Sequence, residues 1–372
     1  MRFFHLSDLH IGKQLHYYNL KEDQERILSQ VVEAAREYRP DVIVIAGDIY
    51  DKSVPSAVAV SIFNRFLTEI SDMDPAIPVL IIAGNHDSAQ RLEYASSILD
   101  RHQIHIAGMP PSSPEERLKK IALKDEWGNV NFYLLPFVKP GYVRHFMETA
   151  SVEETVRALL EREKISVDER NVIVSHQFYT SGGKEPKRSD SESIIVGGLD
   201  NVDTAVLEAF DYAALGHIHR SQSIGCGSYC GTLLPYSVQE AEDEKTLVMV
   251  ELGKKGETPK VHHIPLHPLR KIRRLKGNLE EVLGCAPEEK ENYVSVTVTD
   301  EIEPYHMRER LEEVFPYLLE VRVDNTRTRN TLEEMEVFPD ITDPVEAFAH
   351  FFREIQGREM NEEERKILEE QV

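Results

Sequence analysis

Five short polar stretches of this 372-residue chain hold residue types that bind metal ions, and each follows an apolar run. Arg2 to Leu6 leads into Asp8-Leu9-His10, and Val42 to Ala46 into Gly47-Asp48-Ile49-Tyr50-Asp51. Val79 to Ala83 leads into Gly84-Asn85-His86-Asp87, Val172 to Val174 into Ser175-His176, and Tyr212 to Leu215 into Gly216-His217-Ile218-His219. Asp, Asn and His without Cys mix hard oxygen with borderline nitrogen donors, which suits Mn, Fe, Zn or Ni and disfavours a thiolate zinc site or a pure calcium site. The donors are too many for one tetrahedral ion, so a two-metal site is expected. With Asp48 bridging ions about 3.5 to 4 Å apart, water between them is a strong nucleophile at neutral pH, which is the chemistry of phosphoester hydrolysis. His86, flanked by a proposed ligand, suits steadying the scissile phosphate or protonating the leaving oxygen. Gly47, Gly84 and Gly216 each precede a proposed ligand, where the absence of a Cβ lets the chain turn and approach closely.

Those donors converge only if the runs before them are neighbouring strands. Near-continuous apolar runs imply strands buried on both faces of a sheet, and amphipathic helical patterns lie between them, at Glu22 to Tyr38, Pro55 to Ile70 and Val152 to Glu163. The pattern predicts an α/β layered domain whose ligands bind outside the carboxyl ends of its strands. A single His at a strand end is more often structural than a ligand; the signal is the ordered set DxH, GDxxD, GNHD, an isolated His and GHxH.

From Gly225 the pattern changes to Thr246 to Leu252 and Lys260 to Leu266, which predicts an antiparallel flank and a domain boundary near Pro268. The run Arg270, Lys271, Arg273, Arg274 and Lys276 reads equally as a phosphate-facing patch or a solvated linker. Helix, strand, helix and strand patterns then predict a small α/β domain over 269–337. In the tail, 338–372, Val345, Phe348, Phe351, Phe352 and Ile355 fall on one side of a helix capped by Asp343-Pro344. That face either folds back onto its own domain or docks another protein.

Composition narrows the classes. No stretch approaches the length of a membrane span, the N-terminus lacks a signal-like apolar region, and three Cys fit a reducing compartment, so a cytoplasmic location is expected. The net charge of -22 argues against non-specific nucleic-acid binding. Half of that excess, however, lies in residues 301–372, where nine Lys and Arg face twenty Asp and Glu.

The motifs DLHIGK from Asp8, GDIYDKSVPS from Gly47, GNHDS from Gly84, SHQF from Ser175, FDYAALGHIH from Phe210 and YCGTLLPYS from Tyr229 resemble those of the calcineurin-like metallophosphoesterases, over roughly residues 1 to 268. Within that family the chain is similar to the DNA nucleases that work with an SbcC-type ATPase. The resemblance implies two packed β-sheets flanked by helices, with Asp8, His10, Asp48 and His219 on one manganese and Asp48, Asn85, His176 and His217 on the other. It implies His86 as the catalytic residue and places Asp51 and Asp87 beside the ligands or the substrate. It further implies a DNA-facing cap after Pro268, C-terminal helices that dock the ATPase, and a homodimer within a heterotetramer. The expected substrates are DNA ends, hairpins and single strands; the alternative is a small phosphoester such as a nucleotide.

Overall fold

The computed structural model describes residues 1–189, 200–285, 287–328, 348–349, 351–353, 358–361, 364–365 and 368. In chain order its main strands are β1 (Arg2–Leu6), β2 (Val42–Ala46), β3 (Val79–Ile82), β4 (Ile104–Ala107), β5 (Lys119–Asp125), β6 (Gly128–Leu135), β7 (Arg170–His176), β8 (Tyr212–Gly216), β9 (Gln222–Ile224), β10 (Gly227–Tyr229), β11 (Thr246–Glu251), β12 (Lys260–Pro265), β13 (Ile272–Gly277), β14 (Tyr293–Val298) and β15 (Leu318–Val323). The helices that matter here are α1 (Lys21–Tyr38), α2 (Ala57–Ser71), α3 (Val152–Glu161) and α4 (Met307–Val314).

Two six-stranded sheets run in the orders β12-β11-β1-β2-β3-β4 and β9-β10-β8-β7-β6-β5. In the first, β1 to β4 are mutually parallel, with Phe3 opposite Val42 and Ile43 opposite Val79, while β11 and β12 close the other edge antiparallel. In the second, β6, β7, β8 and β10 are parallel, and antiparallel hairpin partners stand at both edges. Period-two alternation assigns each strand face: Phe3, Val44 and Ile82 pack with Phe132, Val174 and Ala214 in the layer between the sheets. Phe4, Ile43 and Ile81 turn instead to α1 and α2, and Tyr133, Ile173 and Leu215 turn to α3.

Coverage on both faces explains the unbroken apolar runs: every residue of β2, β3 and β8 is buried. Ser56 and Ser151 cap α2 and α3 by accepting from the amides of Ala59 and Glu154. The layered α/β architecture and the antiparallel β11–β12 flank are as the patterns predicted. Strands β4, β5, β9, β10 and β13 have no counterpart among the predicted strands: β13 falls on the basic run, and in β5 KKIALKD alternates between half-buried and exposed residues.

By its contacts the chain divides into one unit of Met1–Arg274, Ala286–Ser295 and Phe315–Leu319, and another of Leu275–Cys285, Val296–Val314 and Glu320–Val372. β13, β14 and β15 pair in that order, and α4 buries Met307 and Leu311. Among the described residues no helix is long and apolar enough to cross a membrane.

His5 sits wholly buried on β1, its Nδ1 3.2 Å from the Tyr212 hydroxyl. Burial, opposed in part by a backbone contact with Leu215, pushes its pKa down to about 3. The unfolded chain therefore takes up a proton below about pH 6.5 that the folded chain refuses, and His5 removes up to about 1.4 kcal/mol of stability per pH unit between those limits. Relative to the parent, His5→Gln should gain stability progressively from pH 6.5 to 4 in urea unfolding. A constant offset across that range would exclude the linkage.

Candidate metal centre

The carboxyl ends of strands from both sheets meet at one edge, and backbone bonds lace their loops together. The amides of Asp8, His10 and Ile11 donate to the carbonyls of Gly47, Asp48 and Ile49 at 2.9, 3.0 and 2.9 Å. Fitting the donors into so small a space distorts the chain: Asp8, His10, Asp48 and His217 all have positive φ, at 52°, 42°, 52° and 101°. Such conformations are costly for residues other than glycine and cluster at functional sites. The glycines permit the closest approaches. Gly47 has φ of +90°, and a Cβ there would lie 2.4 Å from His176 Nδ1; one on Gly216 would lie 2.0 Å from the Ala46 carbonyl oxygen.

Seven candidate ligands come together. His10 Nε2 lies 3.2 Å from His219 Nε2 and 3.7 Å from Asp48 Oδ2. On the other side His176 Nε2 lies 3.4 Å from Asp48 Oδ2 and 3.1 Å from Asn85 Oδ1, which is 2.9 Å from His217 Nδ1. Ligand atoms of Asp8, His10 and His219 can share an ion, as can those of Asp8, Asp48 and His176. Asp48 thus faces both halves of the cluster. His176 Nδ1 bonds the Ala46 carbonyl at 2.7 Å, the outer-shell contact that fixes a ligand ring and frees Nε2.

Charge makes the case for cations. Asp8 and Asp48 are both buried. Burial pushes the Asp8 carboxyl up to about 7, with Asp48 adding to the rise and His176 opposing it. For Asp48, burial acts upward but is outweighed by His176, His10 and His86, which hold it far below the usual carboxylate range. Burial lowers His217 and His219 to about 3 and His10 well below its ordinary value, so their rings are neutral donors. His176 departs from them: Asp48 overrides burial and raises it to about 9. His10 Nδ1 is buried without a hydrogen-bond partner. Paired buried carboxylates beside the neutral imidazoles of His10, His217 and His219 fit divalent ions of the borderline class.

Around this cluster, His86 Nδ1 bonds the Asp51 carbonyl at 2.9 Å and its backbone amide donates to Asp48 Oδ1 at 2.8 Å. Its Nε2 lies 4.0 Å from Asp48 Oδ2 on a partly exposed ring. Asp51 Oδ1 is 2.9 Å from Lys13 Nζ and 3.8 Å from His10 Nδ1. Asp87 accepts from the amides of Ile49, Tyr50 and Gly84, binding the second and third loops together. Three further groups outside the expected site residues support the cluster: Ser7 donates to Asp8, Gln24 holds the His10 carbonyl and Gly12 amide, and Tyr236 donates to the Leu9 carbonyl. Ser7 adjoins Asp8 and Tyr236 falls within the YCGTLLPYS motif, but Gln24 lies in a helix with no motif to mark it.

The basic run after Pro268 is largely engaged within the protein. Arg270 pairs with Glu22 and buried Asp23, and Arg274 donates to the Val238 carbonyl. Arg273 pairs with Glu289 and Lys276 with Asp324. The Lys271 amide bonds Asn292. In the tail, Phe348 and Phe351 are exposed with ring centroids 6.1 Å apart, and Arg358 lies over Phe352. Val345 and Ile355 lie outside the described residues.

Residues 1–221 match the family model of calcineurin-like phosphoesterases, and residues 268–356 match one described as the type 5 capsule protein repressor C-terminal domain. The SbcD component of the nuclease SbcCD from Staphylococcus saprophyticus is 29% identical over 379 residues, covering 99% of this chain and 97% of that one. Its namesake from Staphylococcus epidermidis is 30% identical over 329 residues, covering 86% and 84%. The chain belongs to the calcineurin-like phosphoesterases, hydrolases dependent on divalent metal ions, and within them to the SbcD family of nucleases.

Proposed function

We propose that this chain is a manganese-dependent DNA nuclease, a double-strand exonuclease and a single-strand and hairpin endonuclease, working with an SbcC-type ATPase in DNA end processing, recombination and repair. The observation that carries the reading is the convergence of seven donors from five strand-end loops in a chain with nuclease relatives along nearly its whole length.

In this reading Asp8, His10, Asp48 and His219 hold one ion, and Asp48, Asn85, His176 and His217 the other. When bound, the ions polarise the phosphodiester and neutralise the charge that develops on it. The chain's own residues do the rest. His86 Nδ1 rests against the Asp51 carbonyl, which turns Nε2 toward the leaving oxygen, where the ring passes a proton. Lys13 holds the Asp51 carboxylate, which keeps that loop in place. Burial of Asp8, His10, Asp48, His176 and His219 keeps bulk water from that side of the reacting centre.

Partners follow the same reading. Of the basic run, DNA contact falls to Lys271, to exposed Arg274 and to the solvent-facing parts of Arg273 and Lys276, because Arg270 is held by Glu22 and Asp23. The tail face of Val345, Phe348, Phe351, Phe352 and Ile355 docks the ATPase. A homodimer, within a heterotetramer, belongs to the same reading, and exposed Val58, Val60, Tyr94 and Ile98 offer apolar surface to it. Cys226, Cys230 and Cys285 carry thiols, which suits a cytoplasmic setting.

The test is cleavage of an end-labelled DNA hairpin and a duplex with Mn2+, beside Asp48→Ala and a panel of nucleotide monoesters. Metal-dependent cutting lost in the variant is expected; monoester turnover with DNA left intact, even with the ATPase supplied, would transfer the assignment to small phosphoesters. Metal analysis should find ions depleted from Asp8→Ala, Asp48→Ala and His217→Ala but retained by His86→Ala, which loses about 10²- to 10⁴-fold in turnover. Metal missing from the His86 variant would make that residue a ligand. Removal of residues 343–372 should abolish ATPase binding and spare hydrolysis of small diesters; surviving binding would move the docking surface elsewhere.

A further inference from the structure

Lys245 and Glu240 form an ion pair that the chemistry above does not use. Their side chains are 6% and 0% exposed, and Lys245 Nζ lies 2.7 Å from Glu240 Oε2. Removing two ions from water costs several kcal/mol each, a cost offset only where the geometry satisfies both. Lys245 Nζ also donates to Thr232 Oγ1 at 2.9 Å and to the backbone carbonyl of His219 at 3.2 Å, which occupies its three N–H groups. The same His219 carbonyl accepts from the Thr232 amide at 3.1 Å. Thr232 sends its own hydroxyl proton to the Leu234 carbonyl at 2.7 Å, leaving its lone pairs to the ammonium. Glu240 Oε1 accepts from the hydroxyls of Ser237 and Ser189 at 3.1 and 3.2 Å.

From this we infer that Lys245 is a positioning residue for the ligand His219. Its ammonium, braced by Glu240 and Thr232, pins the carbonyl of His219 and so fixes the backbone from which the imidazole reaches the ion shared with Asp8 and His10. The need for an anchor is local. His219 ends a loop in which His217 has φ of 101°, and its Nε2 must stand 3.2 Å from His10 Nε2. A ligand held only by its own flexible loop binds metal less tightly than one oriented from behind, and loss of such outer support typically costs about 10- to 100-fold in affinity. The inference rests on the two-metal reading proposed above.

Lys245→Met alone would strand the Glu240 charge and confuse stability with positioning. The double replacement Lys245→Met with Glu240→Leu removes both ions, an exchange often neutral for stability. Mn2+ alone is titrated calorimetrically into the whole chain, the double variant, Lys245→Arg and His219→Ala, and the unfolding temperature of each is recorded without metal. The double variant is expected to unfold near the parent temperature, to bind one Mn2+ unchanged and to bind the other about 10- to 100-fold more weakly, the site that His219→Ala also loses. Lys245→Arg keeps the charge beside Glu240 but not the three-way geometry; it should weaken the same ion and substitutes for the double variant if that does not fold. Undiminished affinity for both ions in whichever folds overturns the inference, and failure of both to fold makes the pair merely structural, which also overturns it. A parent chain that binds a single Mn2+ indifferent to His219→Ala sinks the ligand assignment itself.

Discussion

Two carboxylates, Asp8 and Asp48, share one buried pocket, and most of the surrounding structure answers to that constraint. Like charges so far from water repel and are poorly solvated, so the pocket is stable only with compensating groups at fixed places. His176 supplies one, held by the Ala46 carbonyl on one nitrogen and facing Asp48 with the other. The amides of His217 and His86 supply others, donating to Asp8 and Asp48. The left-handed backbone at Asp8, His10, Asp48 and His217 is the cost of aiming these groups inward. Three packed apolar layers, one between the sheets and one on each outer face, provide the rigidity that sustains it.

Much of this was legible in the residues. Strands covered on both faces read as unbroken runs such as Val42–Ala46, and the polar residues at their ends included all seven clustered donors. What stayed hidden depends on distance along the chain. Strand β5 was missed because only alternate residues meet the core. Arg270 looked free in RKIRRLK, yet its partners Glu22 and Asp23 lie about 250 positions earlier. Lys245 is one cation in the acidic string EAEDEK, and nothing local distinguishes the buried Glu240 from its exposed neighbours.

The acidic total and a DNA substrate are reconciled by where the charge is placed. Ion pairs at Asp23, Glu289 and Asp324 consume much of the basic run, so that segment contributes less field than its sequence suggests. Phosphate attraction in this molecule therefore leans on the metal centre. Its neutral imidazoles, unlike its two carboxylates, would cancel none of a bound cation's charge toward the substrate.

The sheet order also sets a timetable for biosynthesis. β1 is flanked by β2 and by the much later β11, and 209 positions separate His10 from His219. A chain leaving the ribosome at about 5–20 residues per second exposes Asp8, Asp48 and Asn85 for some tens of seconds before β8 and β11 arrive to enclose them. Until then the donors stand in water with half their partners missing. A hydrolase with this topology stays inert while it is being made, and it acquires its reactive centre only once most of its catalytic domain has been synthesised.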